Sequence, residues 1–389
     1  MKVVIAPQAF KGSISALEAA KAIAAGVKRV VPDAETVLVP VADGGDGTLQ
    51  TLVETSGGQI HSVRVTGPLG EHVEAHWGAM GDGRTAVIEM ARTSGLVLVP
   101  HPRRNPFLST TYGLGEAIRA AMDAGFRRFI VGIGGSATND GGAGMAQALG
   151  VRLLDAQGHD LPHGGAALAR LERIDMAGLD PRANQAEFLV ACDVSNPLTG
   201  PEGASAVYGP QKGATPEMVR QLDAALHHFA QVVKRDLGAD IEQMRGAGAA
   251  GGLGGGLVAF LKTTLRPGVD IVLETVGLEK HLAGADLVIT GEGRLDFQTV
   301  YSKAPIGVAA RAKRRGIPVI AIAGSLGERF YLVHDHGIDA AAAITTAPMS
   351  LEEASAKAAD LIATETEEVL RFMKTGARVF GRGLTTYER

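Results

Sequence analysis

A glycine-rich segment that also carries polar side chains is the part of this sequence best suited to chemistry. It covers residues 132–144 and reads GIGGSATNDGGAG. Residues 127–131 before it have the composition of a strand, and residues 144–149 after it that of a helix. Such a loop directs backbone N–H groups and the positive end of the helix dipole at one point, which favours an anion, phosphate above all. Asn139 and Asp140 suggest that a cation or a reacting group lies beside that anion.

Other predicted strands are also followed by lysines or carboxylates. Ligands of open α/β sheets usually bind beyond the carboxyl ends of the strands, so these loops are candidates for one site. Structural roles are open alternatives: Asp43 and Asp46 could cap a helix, and Asp193 could form an Asx turn. The candidate side chains in these loops are Lys11, Ser13, Asp43, Asp46, Asp193, Glu292, Arg294, Asp296 and Lys303.

Together these residue types favour phosphoryl transfer. Mg²⁺ requires one or two carboxylates plus phosphate oxygens, and lysine neutralises the charge that develops on the transferred group. Besides Lys11 and Lys303, Lys212 in a Gly-Pro-Gln-Lys-Gly segment is a third lysine for this purpose. A positioned aspartate can accept the proton of an attacking hydroxyl. The P-loop motif and the protein-kinase motifs are missing from the sequence, so a kinase of this type belongs to neither large class.

Strand and helix patterns alternate at both ends of the chain. Predicted strands at 2–6 and 36–41 alternate with helices at 15–30 and 48–56, and strands at 285–290, 318–323 and 340–345 alternate with helices at 304–315 and 351–375. This βα alternation predicts a parallel sheet with right-handed crossovers. The segment from Gly291 to Asp296 is predicted to be a loop.

The middle of the chain has a different pattern of predicted elements. Short strands at 61–66, 72–77 and 85–90, joined by glycine and proline turns, predict antiparallel pairing. We therefore predict an α/β protein with two domains, in which a Rossmann-like parallel-sheet domain is built from both chain ends and a mixed α/β domain is inserted. The expected boundaries are 1–80 plus 285–375 for the first domain, 81–284 for the second and 376–389 for a tail.

Composition limits the classes of partner. The chain has 389 residues, 38 basic and 42 acidic side chains and a net charge of −4, which gives no electrostatic reason to expect nucleic acid or an anionic membrane. The single Cys192 excludes an internal disulfide and a cysteine-based metal cluster. The first residues enter a strand directly, and no apolar run is long enough to span a bilayer. We expect a cytoplasmic protein, with a homo-oligomer as an open alternative.

Several segments closely resemble the type-1 bacterial glycerate kinases. The resemblance runs in order from about residue 1 to residue 375, and the last dozen residues carry no match. The chain differs from the family pattern at Gln8-Ala9, Asp46, Ser195 and Ser302, all at predicted site edges. The matching segments are 6–13 (APQAFKGS), 39–48 (VPVADGGDGT), 132–144, 191–200 (ACDVSNPLTG), 209–214 (GPQKGA), 246–256 (GAGAAGGLGGG) and 291–299 (GEGRLDFQT).

The resemblance implies an ATP-dependent kinase that phosphorylates D-glycerate on the 2-hydroxyl and yields 2-phosphoglycerate and ADP. It also implies two α/β domains with the site in the cleft between them, and ATP with Mg²⁺ as co-reactants. Under this hypothesis Asp193 or Asp296 is the general base, and Asp140 or Asp193 holds Mg²⁺. Lys11 either binds the glycerate carboxylate or stabilises the transferring phosphoryl group.

The remaining roles fall into two groups under the same hypothesis. Glycerate is expected to contact Asp43, Arg294 and Ser13. The ATP phosphates are expected to contact Gly134, Gly135, Ser136, Thr138, Asn139, Gly141, Gly142, Lys212 and Lys303.

Three alternative functions remain open at this point. A related kinase could yield 3-phosphoglycerate. An NAD(P)-dependent 2-hydroxy acid dehydrogenase would use Asp155, which ends a short apolar run, although the glycine loop is not Gly-x-Gly-x-x-Gly. A non-catalytic protein that binds a small anion would leave the number of carboxylates unexplained, because they would repel the ligand.

Overall fold

The computed structural model describes residues 1–261, 263–301 and 303–380. Ser302 and residues 381–389 of the predicted tail lie outside the described residues. The chain divides into two compact units, one made of residues 1–43 and those from 272 onward, the other of residues 44–271. We call them the parallel-sheet unit and the mixed-sheet unit. Elements are numbered along the chain.

All strand pairs of the parallel-sheet unit are parallel, in the order β13-β12-β11-β1-β2. Its core contains Val3, Ile5, Ile23, Ile289 and Ile322, all almost fully buried. The strands are β1 (Lys2–Pro7), β2 (Glu35–Leu38), β11 (Leu287–Leu295), β12 (Val319–Leu326) and β13 (Ala340–Ala343). The helices are α1 (Ala16–Val30), α10 (Leu278–His281), α11 (Ala304–Lys313), α12 (Leu351–Ala356) and α13 (Ala358–Phe380). Helix α9 (Gly268–Thr275) crosses the unit boundary.

The mixed-sheet unit has a sheet in the order β10-β9-β6-β5-β4-β3. As predicted, β3, β4 and β5 pair antiparallel, whereas β5, β6, β9 and β10 are parallel. The strands are β3 (Gln59–Thr66), β4 (His72–Ala79), β5 (Thr85–Glu89), β6 (Arg128–Gly132), β9 (Glu187–Ala191) and β10 (Thr264–Arg266), with a separate hairpin of β7 (Arg152–Leu154) and β8 (Arg173–Asp175). The helices are α2 (Thr48–Ser56), α3 (Ala91–Ser94), α4 (Tyr112–Asp123), α5 (Ala143–Ala148), α6 (Ala204–Tyr208), α7 (Pro216–Leu237) and α8 (Leu253–Leu261).

The predicted architecture is confirmed: a parallel-sheet unit is built from both chain ends, and a mixed α/β unit is inserted. The unit boundaries lie after residues 43 and 271 rather than at the predicted residues 80 and 285. The first lies earlier because β3, β4 and β5 join the sheet of the inserted unit through the pairing of β5 with β6. The capping box predicted at the start of α1 is confirmed, since Ser15 and Glu18 each accept from the other's backbone N–H.

One glycine-rich segment differs from its prediction as a loop, and a second one packs its backbone closely in the same way. Strand β11 continues to Leu295, so Glu292 and Arg294 stand on a strand. Gly291 fits there because a Cβ at this position would lie 1.9 Å from the carbonyl oxygen of Ile322 on β12. Gly256 lies within α8 for a similar reason, because its Cβ would lie 2.2 Å from the Gly141 carbonyl oxygen. These glycines permit close packing of the backbone. In a sequence, their glycine-rich composition looks the same as that of a loop.

The C-terminal helical segment consists of two helices rather than one, and they are separated at Lys357. Among the residues described, none of the helices combines the length and the apolar character needed to cross a lipid bilayer.

Candidate active site

A cavity of about 270 Å³ lies within the mixed-sheet unit, beyond the carboxyl ends of β6 and β9. The exposed turn Gly134-Gly135 forms one side, and Ser136, Lys212 and Asp193 also line it. Gly135 has a φ of +73°, a conformation that glycine adopts without strain. The structure therefore brings a glycine turn, a hydroxyl, a lysine and a carboxylate, all predicted as site residues, to one cavity.

Lys212 is the most unusual residue of this cavity. It lies in a single turn of 3₁₀ helix, Pro210–Lys212, and its side chain is only 1% exposed. Its Nζ donates hydrogen bonds of 2.7 Å to Ser136 Oγ and to the Thr138 carbonyl oxygen, which are both uncharged. Burial lowers the pKa of Lys212 to about 7, although the negative charge of Asp140 opposes this shift. Because both of its hydrogen-bond partners are uncharged, the ammonium group favours an anionic ligand whose charge would balance its own.

The later part of the glycine loop is buried and does not line this cavity within the described structure. A Cβ on Gly141 would lie 2.9 Å from the Phe229 ring, and one on Gly142 would lie 3.2 Å from Leu253. Thr138 and Asn139 are fully buried, and Thr138 Oγ1 and Asn139 Oδ1 have no hydrogen-bond partner among the described residues. These four residues therefore contribute no lining to the cavity, and the phosphate contacts predicted for them stay predictions.

Asp140 has a structural role in this geometry, and its predicted role as a metal ligand stays a prediction. It is fully buried, and its carboxylate accepts hydrogen bonds from Thr111 N and Oγ1, Gly142 N and Gly144 N at 2.8–3.3 Å. It thus caps α5 and fixes the end of the glycine loop to the start of α4. Burial raises the pKa of the Asp140 carboxyl, and these hydrogen bonds oppose that rise.

We expect Asp140→Asn to lower the free energy of unfolding by about 2–4 kcal/mol, because an amide N–H₂ would face backbone N–H donors that cannot be satisfied elsewhere. Urea denaturation measures this change. Asp160→Asn is the matched control, because Asp160 is exposed and pairs with exposed Arg152. Equal stability of the two variants would contradict the capping role.

Asp193 is the carboxylate of the mixed-sheet cavity. It follows β9 by two residues and is exposed, and its Oδ1 accepts a hydrogen bond of 2.9 Å from the backbone N–H of Gly268. That bond fixes the side chain at the end of the strand and leaves carboxylate surface open to the cavity. Asp193 therefore meets the positional requirement for either predicted role, general base or metal ligand.

A second polar group lies at the carboxyl ends of β1, β2 and β11 in the parallel-sheet unit. Gln8 Nε2 donates to Asp43 Oδ2 at 2.9 Å. Glu292 on β11 accepts from Thr299 Oγ1 at 2.8 Å and from Lys303 Nζ at 3.2 Å. Burial raises the pKa of Glu292; Lys303 opposes the rise and Asp43 adds to it. Lys303, predicted to bind phosphate, is thus already paired with a carboxylate.

The remaining predicted residues also lie in the parallel-sheet unit. Arg294 Nε lies 3.2 Å from Asp296 Oδ2, and Asp296 Oδ1 accepts from the backbone N–H of Gln298. Asp296 is buried and only 9% exposed, whereas Asp193 is exposed, so Asp193 is the more accessible of the two predicted bases. Lys11 and Ser13 are exposed and line a cavity of about 290 Å³, with Ser13 Oγ donating to the Ser355 carbonyl oxygen.

The sequence placed Glu292 among the candidate side chains without a role, and it placed Gln8 at an edge of the predicted site without a contact. The signal for Glu292 was its place between Gly291 and Gly293, and the signal for Gln8 was its position directly after a strand. Tyr208 and Cys192 also line the mixed-sheet cavity. Across the described residues, no group of three histidine, cysteine or carboxylate side chains is arranged to hold a metal ion.

Comparison with known proteins identifies the family. The model of the glycerate kinase family matches residues 3–374. The chain belongs to this family. The glycerate kinase of Bacillus subtilis is 54% identical over 380 residues, which cover 98% of this chain and all of that protein. The glycerate 2-kinase of Escherichia coli is 49% identical over 381 residues, covering 98% of this chain and all of that protein.

The fold agrees with that of a solved glycerate kinase structure. The crystal structure of a Salmonella typhimurium LT2 protein assigned as glycerate kinase 2 has a TM-score of 0.91 and 52% identity. It covers 97% of this chain, which in turn covers 99% of the solved chain. The predicted resemblance to glycerate kinases is therefore confirmed, and with it the predicted kinase class. The dehydrogenase and the non-catalytic binding protein are excluded.

Proposed function

We propose that this chain transfers the γ-phosphoryl group of ATP to the 2-hydroxyl of D-glycerate, forming 2-phosphoglycerate and ADP. The observation that carries the phosphate assignment is buried Lys212 beside the exposed Gly134-Gly135 turn. The E. coli relative is named a glycerate 2-kinase, which supports the choice of hydroxyl. A kinase that yields 3-phosphoglycerate is the alternative.

The mixed-sheet cavity is assigned to the ATP phosphates. The N–H groups of Gly134 and Gly135 and the Ser136 hydroxyl would donate to phosphate oxygens, and Lys212 would neutralise the charge that develops on the transferred group. Asp193 would accept the proton of the attacking hydroxyl or hold the metal ion. Both assignments use groups that line one cavity of about 270 Å³.

The same cavity fits Mg²⁺, which prefers oxygen ligands and commonly uses one or two carboxylates with phosphate oxygens and water. Asp193 supplies a carboxylate that one backbone hydrogen bond already orients. When bound, Mg²⁺ would neutralise phosphate charge. Asp140 is left out of this set because its oxygens serve the α5 cap.

The glycerate contacts are assigned to the parallel-sheet unit. Arg294 has a side chain that is 63% exposed, so its guanidinium can bind a carboxylate in addition to Asp296. Lys11 and Ser13 line the cavity next to Gly293 and supply a second cation and a hydroxyl. Asp43 and Glu292 are unsuited to the glycerate carboxylate because like charges repel.

We expect ATP binding at pH 8 to take up close to one proton. Lys212, with a pKa of about 7, is mostly neutral at that pH, and contact with phosphate raises its pKa and charges it. The phosphate itself is already ionised, since its second pKa is about 6. Calorimetric titration in two buffers of different ionisation enthalpy measures the uptake.

The uptake should disappear in Lys212→Met and persist in Lys234→Met, because Lys234 is exposed on α7 and pairs with exposed Asp240. An uptake that is unchanged in Lys212→Met would show that another group binds the phosphates.

A further inference from the structure

Gln8 carries a buried amide oxygen at the end of β1. Its side chain is 5% exposed, and its Nε2 donates to Asp43 Oδ2 at 2.9 Å. Its Oε1 is buried and has no hydrogen-bond partner among the described residues. Exchanging the amide oxygen and nitrogen of Gln8 would turn its carbonyl oxygen toward the Asp43 carboxylate, and the two would repel each other. The contact with Asp43 therefore determines which atom is Nε2 and which is Oε1. A buried carbonyl oxygen without a donor is rare in native structures, and a donor from a ligand would account for it.

The position of Gln8 in the sheet is that of a ligand site. Strand β1 leads to β2 on one side of the sheet, whereas β11 leads to β12 and β13 on the other. The strand order therefore reverses between β1 and β11, and ligands of open α/β sheets bind at the carboxyl edge of such a reversal. The Gln8 backbone N–H donates to the Gly291 carbonyl oxygen at 2.8 Å and so continues the β1–β11 pairing to this point.

The surrounding charges define what kind of group can approach. Gln8 contacts the Asp43 carboxylate, and the charge of Asp43 is close enough to raise the pKa of Glu292. Lys303 lies 3.2 Å from Glu292 and is already its ion-pair partner. An acceptor oxygen next to two carboxylates repels carboxylate and phosphate groups, so the group that approaches it is either a cation or a neutral hydrogen-bond donor. An alcohol O–H meets this requirement.

We infer that Gln8 Oε1 accepts a hydrogen bond from a hydroxyl of glycerate, with the hydroxyl end of the substrate at the β1–β11 reversal and its carboxylate directed away from Asp43 and Glu292. This inference rests on the proposed function, because it takes glycerate as the substrate. Gln8 is then a residue that determines specificity for a hydroxy acid over an acid without the hydroxyl.

Gln8→Met tests the inference, because methionine has nearly the same length and lacks the acceptor. We expect the KM for D-glycerate to rise about tenfold, with the KM for ATP unchanged. Thr290→Val is the matched control: Thr290 is buried on the neighbouring strand, and its hydroxyl already donates to the Ala6 carbonyl oxygen. It should leave both KM values within twofold of the wild-type values.

Two substrate analogues separate a lost hydrogen bond from a general distortion. Lactate lacks the 3-hydroxyl, and 3-hydroxypropanoate lacks the 2-hydroxyl. The analogue without the hydroxyl that Gln8 binds should inhibit wild type and Gln8→Met equally. An unchanged KM for D-glycerate in Gln8→Met, or an equal loss for both analogues, would overturn the inference. Failure of the wild-type chain to phosphorylate D-glycerate would instead overturn the proposed function.

Discussion

Replacing Lys212 by methionine should lower kcat/KM for ATP by about 10³-fold, which is the size of effect seen when a preorganised donor to a developing charge is removed. Lys212 is the buried cation of the mixed-sheet cavity, and its Nζ lies 2.7 Å from Ser136 Oγ beside the exposed glycine turn. Methionine retains much of the side-chain volume and removes a charge that burial disfavours. The variant should therefore stay folded, with a free energy of unfolding close to that of wild type.

Steady-state kinetics with varied ATP and urea denaturation measure these two quantities. Lys234→Met provides the control for the loss of a lysine charge from the same unit, since Lys234 is exposed on α7. A Lys212→Met variant that is stable and retains wild-type kcat/KM would remove this lysine from the phosphate site. A variant that loses activity only because it unfolds would also show a lower free energy of unfolding in urea denaturation.

Replacing Asp193 by asparagine should lower kcat by about 10²–10⁴-fold, the range for removal of a general base. Asparagine keeps the oxygen that accepts from the Gly268 N–H, so the loop after β9 should hold its position. The KM values for ATP and glycerate should change little if the carboxylate acts in the transition state alone. Asp160→Asn, which removes an exposed carboxylate paired with Arg152, should retain wild-type kcat.

The Mg²⁺ dependence of the Asp193→Asn variant distinguishes its two assigned roles. If Asp193 holds the metal ion, a higher Mg²⁺ concentration should restore part of the activity. If it accepts the hydroxyl proton, Mg²⁺ should have no such effect. Near-normal turnover of the variant at ordinary Mg²⁺ would contradict both roles.

The elements of the fold were predictable because their patterns are local. Helix α2 is found over the predicted range, Thr48–Ser56, and the Ser15–Glu18 capping box marks the start of α1. The end of β11 was not predictable, because the glycines that allow close contact with β12 have the same composition as a loop. Whether a glycine serves a turn or a close backbone contact depends on its neighbours in space.

The candidate site also combines residues that the sequence predicts with features that it does not. Motifs selected Lys212 and Asp193, which the structure brings to one cavity with Gly134. They could not separate these from Asp140, because a carboxylate that caps a buried helix and one that faces a cavity have the same sequence signature. Gln8 Oε1, which has no hydrogen-bond partner within the described part of the chain, depends on packing around the carboxyl end of β1, which a single sequence does not encode locally.

Product identification by ³¹P NMR tests the proposed reaction most directly. The wild-type chain is incubated with ATP, Mg²⁺ and D-glycerate, and the phosphorus signals of the products are compared with those of authentic 2- and 3-phosphoglycerate. We predict 2-phosphoglycerate and ADP in equal amounts. Formation of 3-phosphoglycerate would contradict the assigned hydroxyl, and ADP with inorganic phosphate alone would contradict glycerate as the acceptor.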